Sequence, residues 1–299
     1  QPDILYERYS LFSFAGVRIA SQNNLPHILE INSLLLEEQR TFRTLAFGDI
    51  AEEIESFVYR QTDKIFTVSQ ILQSKISNDP KVQMKVTVLP NAVDIELFSP
   101  RPKNKKLLNK YTLKDKFVIG FTGSLKPWHG LQTAIQTFKT LSQKHNELVF
   151  LIVGEGPMKE QIIHETKDIA SSIILTGAIP HSKIPEYLSI MDITIAPYNY
   201  MKDFYFSPLK VYEYMAMGKP VIASHLGQLS DLIQDYWNGL LCKPENSKVL
   251  SQAIMKLYLD DDLRSKLGNN ARKSIIRQYT WQNNARKIID TAKQLVLKK

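Results

Sequence analysis

Two charged residues stand three apart in the segment Ser207-Pro-Leu-Lys-Val-Tyr-Glu-Tyr-Met-Ala-Met-Gly218, where most other side chains are apolar. A helix turns about 100° per residue, so Lys210 and Glu213 fall close to one side, with Glu213 one turn deeper. Ser207 suits a helix cap and Pro208 a first turn, which leaves the backbone N–H groups around Leu209 and Lys210 to receive an anion. Lys210 would stand beside that anion. A carboxylate at Glu213 can accept two hydroxyl hydrogen bonds, as from a ribose diol whose diphosphate lies at the helix mouth. A local ion pair between Lys210 and Glu213 on a half-exposed helix is the alternative. Leu209, Val211, Tyr212, Tyr214, Met215 and Met217 leave little polar face, which favours a Lys/Glu stripe lining a cavity.

Three further stretches end apolar runs in glycine-bearing turns: Gly120-Phe-Thr-Gly123-Ser-Leu-Lys126, Gly154-Glu-Gly156-Pro157 and Gly177-Ala-Ile-Pro180. Glycine lets backbone approach a phosphate closely, and parallel sheets bind ligands outside the carboxyl ends of their strands. One such turn would merely end a strand; three together point to a nucleotide cleft. None forms a G-x-G-x-x-G fingerprint or a P-loop, which speaks against dinucleotide and ATPase readings. Asp260-Asp-Asp262 has the look of a metal-binding run, but its place between Leu259 and Leu263 makes it a helix cap. The six histidines lack ligand spacing, and one cysteine disfavours a zinc site. His181, after Pro180, reads as a loop residue, and Ser69 lacks the frame of a hydrolase nucleophile.

The elements that must position these residues follow from periodicity. Short β-branched runs alternate with helical patterns, which argues for parallel sheets built from βαβ units, an α/β class. Expected strands are 3–7, 27–31, 64–68 and 86–89, then 117–121, 149–153, 173–176, 193–196 and 221–223. Between the two groups, Ser99 to Lys116 shifts to Pro and Lys and reads as an interdomain connection. Residues 281–299 read as a terminal helix anchored by Trp281, with Thr280 as its cap. Across 299 residues with 43% hydrophobic content, two domains are expected. The single Cys242 reads as a packed thiol in a reducing compartment, with the cytoplasm as default. Residues 1–100 carry 9 Lys+Arg against 13 Asp+Glu, and the remainder 29 against 17, so the second part is the basic one. Positive potential attracts phosphates, and no basic arm or aromatic motif singles out nucleic acid.

The stretches Val88-Leu-Pro-Asn-Ala-Val-Asp94, Phe98-Ser-Pro100, Gly120-Phe-Thr-Gly-Ser-Leu-Lys-Pro-Trp-His-Gly130, Ile152-Val-Gly-Glu-Gly-Pro157 and Ser207 to Pro220 together resemble glycosyltransferase family four. The resemblance implies a GT-B fold: two Rossmann-like doubly wound parallel-sheet domains facing a cleft. It places a partial acceptor-side domain at 1–99, a donor-binding domain at 100–280, and at 281–299 a helix crossing back to the first domain. The family's front elements, including its early glycine-rich loop, have no counterpart here.

The resemblance further implies a retaining, metal-independent transferase without a cofactor, using a nucleotide diphosphate sugar such as a UDP- or GDP-sugar. Expected partners are that donor and a glycan, lipid-linked or small-molecule acceptor. Nucleic acid is not expected. Basic residues of Arg101 to Lys116 would provide peripheral membrane contact, although such runs are more often just solvated. A nucleotide-sugar-binding module without turnover and a sugar-nucleotide epimerase are the alternatives. Position by position, Glu213 takes the part of the ribose-binding glutamate, and the backbone at Pro208, Leu209 and Lys210 meets the diphosphate. Gly177 to Ile179 places the base, and the loop Gly123 to Gly130 supplies diphosphate contacts, with Gly154 in the neighbouring turn. Lys126 and Lys210 would stabilise the leaving diphosphate. The chain departs from the family in having Tyr205 where a sugar-binding glutamate is usual, so that recognition differs or moves to Asp203. Ser124 stands for an arginine, His129 for a lysine, and Asn32 for a histidine.

Overall fold

The computed structural model describes residues 2–298, so Gln1 and Lys299 at the outer ends of the expected spans lie outside the described residues. The chain divides into two compact units. The first comprises Gln1–Asn91, Asp203–Ser207 and Trp281–Lys299, and the second Ala92–Lys202 and Pro208–Thr280.

In the first unit, strands β1 (Leu5–Arg8), β2 (His27–Ile31), β3 (Lys64–Thr67) and β4 (Val86–Val88) form a parallel sheet in sequence order. Leu29 faces Ile65 in register, and Phe66 faces Thr87. One face carries Leu29, Ile31 and Ile65, packed with Val17, Val58, Leu72 and Tyr205. On the other, Ile28, Phe66 and Leu89 are covered by Ile288, Ala292 and Leu295 of the helix Trp281–Val296. Those three residues recur four and three apart, the spacing of one helical face. Trp281 is 45% exposed and does not anchor this helix. Its buried residue is Asn284, whose Nδ2 donates to the Pro90 carbonyl at 2.8 Å.

The second unit contains β5 (Phe117–Thr122), β6 (Leu148–Val153), β7 (Ile173–Leu175), β8 (Ile193–Ala196), β9 (Val221–Ser224) and β10 (Leu240–Cys242). All neighbours are parallel, in the order β10-β9-β8-β5-β6-β7. Strand order reverses between β5 and β8, which makes that point the natural ligand crevice of a doubly wound sheet. β6 is buried on both faces (Leu148–Val153), as a central parallel strand requires. β10 is an addition to the five strands expected here, and it carries the buried Cys242, whose thiol burial pushes up to about 12.

The lysine-rich stretch after Ser99 lies within this second unit and is partly tied down. Lys103 pairs with Asp192 at 2.6 Å, Asn104 caps the helix Lys105–Lys110, and Lys116 Nζ donates to the Asn146 carbonyl. Asp260 caps the helix Asp261–Gln278 by accepting from the Leu263 N–H at 2.8 Å. Among the described residues, no helix is long and apolar enough to cross a membrane.

Candidate functional site

The site assembles at the carboxyl ends of β5 and β8, from loops that hold one another. Asn199, just after β8, donates its N–H to the Trp128 carbonyl and its Nδ2 to the Pro127 carbonyl. Gly130 has a φ of +69°, and a Cβ there would stand 1.7 Å from the Pro197 carbonyl oxygen, so only glycine lets the two loops close. The three glycine turns also adjoin. Gly123 donates to the Val153 carbonyl, Leu125 to that of Glu155, and Gly154 bridges to Gly177. Ile179 is half-buried in the third turn.

The helix Leu209–Ala216 carries the charged pair. Pro208 is its N-cap, with no side-chain cap among the described residues. The Val211 N–H turns back to the Pro208 carbonyl at 3.0 Å, and the N–H groups of Leu209 and Lys210 hold the first-turn position that attracts an anion. Ser207 does not cap this helix. It belongs to the first unit, where its Oγ accepts from the Asn91 N–H and its carbonyl accepts from Asn91 Nδ2. Leu209 is half-exposed at the mouth of the helix, and Lys210 through Ala216 are buried. Tyr214 fixes the helix against β5: its hydroxyl accepts from the Thr122 N–H at 2.6 Å and lies 3.1 Å from Thr122 Oγ1.

Lys210 is 9% exposed, and its Nζ has no hydrogen-bond partner among the described residues. It lies 4.0 Å from the centroid of the Phe121 ring and 5.3 Å from that of Tyr198. Gly123 has a φ of +129°, and a Cβ on it would stand 2.8 Å from this ammonium. Burial lowers the Lys210 pKa to about 7, with Glu213 pulling weakly in the opposite sense. Aromatic faces offset only part of the cost of burying a charge, so this ammonium is short of an anion. The local Lys210 to Glu213 ion pair is not formed among the described residues.

Glu213 has another partner. His181 Nε2 donates to Glu213 Oε1 at 2.7 Å, while the imidazole itself stays largely exposed. Burial pushes the Glu213 carboxyl up, and the His181 hydrogen bond and charge act against that rise. The His181 ring rests 5.2 Å from the buried Phe98. Phe98 is held in turn by Arg272, which donates to the carbonyls of Phe98, Ala216 and Ile95. From sequence, His181 reads only as a loop residue. It opens a 3-10 turn after the Gly177 loop, and no spacing signal links it to a glutamate 32 positions away.

Other expected site residues are placed differently. His129 does not replace the family's cation: burial, with Lys210 and Lys126 nearby, lowers its pKa to about 3 and keeps it neutral. Its Nδ1 donates to the Ser124 carbonyl, which fixes the tautomer and leaves Nε2 as an acceptor, unsuited to an anion. Ser124 is exposed, and Lys126 Nζ sits 5.7 Å over the Trp128 ring. Tyr205 is buried in the first unit's apolar cluster, its hydroxyl donating to Glu38 and its carbonyl accepting from Ser69 Oγ. Asp203 pairs with Lys75 at 2.8 Å. Both belong to the first unit. Asn32 lies in the first unit, where its Nδ2 donates to Glu30.

The sequence profile of the family described as Glycosyl transferases group 1 matches residues 103–274, more than half of the chain. The chain belongs to that family. It is a glycosyltransferase with the α/β, two-sheet architecture of the GT-B fold. It is 22% identical over 287 residues to an uncharacterised glycosyltransferase of Methanocaldococcus jannaschii, covering 95% of this chain and 71% of the relative. A GDP-mannose-dependent alpha-(1-6)-phosphatidylinositol monomannoside mannosyltransferase of Mycobacterium tuberculosis is 24% identical over 235 residues, covering 77% and 61%. The fold of this glycosyltransferase also matches the crystal structure of Anabaena HepE in complex with UDP. The TM-score is 0.77 at 19% identity, over 93% of this chain and 75% of that one.

Proposed function

We propose that this glycosyltransferase moves a hexosyl group from a nucleotide diphosphate sugar, such as a UDP- or GDP-sugar, to a glycan, lipid-linked or small-molecule acceptor, with retention and without a metal. The observation that carries the reading is the buried, partnerless Lys210 ammonium beside Gly123, on the same short helix as the buried Glu213. A donor diphosphate would give Lys210 the anion it lacks, and the uncapped N-terminus at Pro208 to Lys210 would share it. One turn deeper, Glu213 would accept hydrogen bonds from the ribose hydroxyls. The turns at Gly154 and Gly177 to Ile179 would leave room for the nucleoside. UDP-glucose, named as the ligand of a HepE crystal structure, and GDP-mannose, the donor named for the mannosyltransferase, support this class of substrate.

As the bond to the anomeric carbon breaks, negative charge grows on the leaving phosphate. Lys210, the helix N-terminus and Lys126 would stabilise that charge, each donor contributing on the order of 3 kcal/mol. The departing diphosphate would take the acceptor's proton, which requires no side-chain base at this position. Exposed Lys105, Lys106 and Lys110 suit peripheral contact with a membrane that holds a lipid-linked acceptor, and the buried free thiol Cys242 suits the cytoplasm.

A panel of UDP- and GDP-sugars tests the reading, with nucleotide release and anomeric configuration followed by NMR in the presence and absence of EDTA. The expected outcome is turnover with one donor, an anomer-retained product and no effect of the chelator. Nucleotide binding without release would defeat the transferase assignment. An inverted product would defeat retention, and loss of rate in EDTA would defeat metal independence.

A further inference from the structure

The His181 and Glu213 pair has a feature that simple burial of a carboxylate does not require. The partner of a mostly buried glutamate is an imidazole whose own side chain is 66% exposed. Its ring is backed by Phe98 at 5.2 Å and begins immediately beyond the glycine turn that would hold the nucleoside. We infer that His181 is a positioning residue for ribose recognition: its Nε2–H holds Glu213 Oε1, setting the carboxylate plane so that Oε2 and the remaining Oε1 lone pair receive the donor's vicinal hydroxyls. This rests on the reading of Glu213 as the ribose ligand.

The chemistry runs through one hydrogen bond. A carboxylate that accepts two hydroxyls must be ionised and must not rotate, and burial works against the first requirement. Hydrogen bonding from His181 favours the ionised form and removes the rotation. Phe98 limits the imidazole from behind, and Arg272 holds Phe98 through its carbonyl. The support for the carboxylate is therefore three residues deep, and all of it lies in the second unit. A water molecule in place of the imidazole would satisfy the same oxygen without fixing its direction.

Calorimetric titration of the full chain with UDP, GDP, their 2′-deoxy forms and inorganic pyrophosphate tests this. The proteins are the wild type, His181→Ala and His181→Gln, the last retaining an N–H donor. Wild-type protein is expected to prefer the ribose form of the nucleotide it binds. His181→Ala should lower that affinity about tenfold, the loss of one charged hydrogen bond. It should also erase most of the preference over the deoxy form and leave pyrophosphate affinity unchanged. His181→Gln should restore part of the preference. If the wild type discriminates and His181→Ala discriminates equally well, His181 has no positioning role, while Glu213 remains the ribose ligand. Equal loss on ribose, deoxy and pyrophosphate ligands means general disturbance of the site and also overturns the inference. A wild type that binds nucleotide without preferring ribose, or binds none, removes the ribose reading of Glu213 and the inference with it. The His181 side chain is largely exposed, so the alanine variant is expected to fold, and a thermal melt checks it.

Discussion

At the scale of single residues, Lys210 is the group whose chemistry differs most from its ordinary state. Its folded pKa of about 7 lies below the ordinary 10.5 that the unfolded chain would show. Between these values the unfolded state binds more protons, so stability rises with pH across that window. Below about pH 7 both states are protonated and the full cost of burying the ammonium is present. Lys210→Met removes the group at similar volume, so the wild type should gain on the order of 2 kcal/mol relative to the variant from about pH 7 to about pH 9. Urea unfolding at several pH values measures it, and parallel stability curves would show that Lys210 stays solvated.

Lys210 and Glu213 were legible in the sequence because two charges on one side of an otherwise apolar helix demand an explanation. His181 was not, since its partner is set by the packing of two separate βα turns. His129 was half-legible: its position in the loop was foreseen, but its neutral state follows from burial and from the Ser124 carbonyl, which no linear pattern reveals.

At the scale of elements, the question is what keeps the Leu209–Ala216 helix in register with β5. Tyr214 is fully buried, and its hydroxyl serves the Thr122 N–H at the end of that strand. Tyr214→Phe keeps the ring and strands the donor, at a cost of about 1–3 kcal/mol. Because the helix also carries Lys210 and Glu213, loosening it should weaken nucleotide binding more than a similar loss of stability elsewhere would. Comparison with a core variant of equal stability, titrated with the same nucleotide, separates the two effects; equal affinities would remove Tyr214 from any positioning role. The nine strands expected from β-branched runs are all present within a residue or two. β10 escaped notice because three residues, Leu240–Cys242, are too few for periodicity to register. Such an edge strand exists through its pairing with β9, a tertiary interaction.

At the scale of the whole molecule, sequence order and compact units do not coincide. A break in composition after Ser99 suggested one boundary, yet the first unit closes at Asn91 and, besides the terminal segment Trp281–Lys299 that the family resemblance assigns to it, takes in Asp203–Ser207. Composition could not foretell this, because membership is decided by particular contacts: Tyr205 with Glu38 and Ser69, and Asn284 with Pro90. The terminal helix is a covering layer for Ile28, Phe66 and Leu89, the sheet face opposite the Leu29 and Ile65 side. Ile288→Ala combined with Leu295→Ala therefore removes apolar contact from the first unit alone. Both side chains are only partly buried, so the pair should cost about 2–3 kcal/mol in total, below the range for fully buried positions. Hydrogen exchange read by mass spectrometry locates the effect. Peptides containing β2, β3 and β4 should lose protection, while those containing β5 through β9 keep it, because local stability follows the contacts of each cooperative unit. If β5 and β6 lost protection to the same degree, the two units would be unfolding as one, and the division of the chain would be geometric without being energetic.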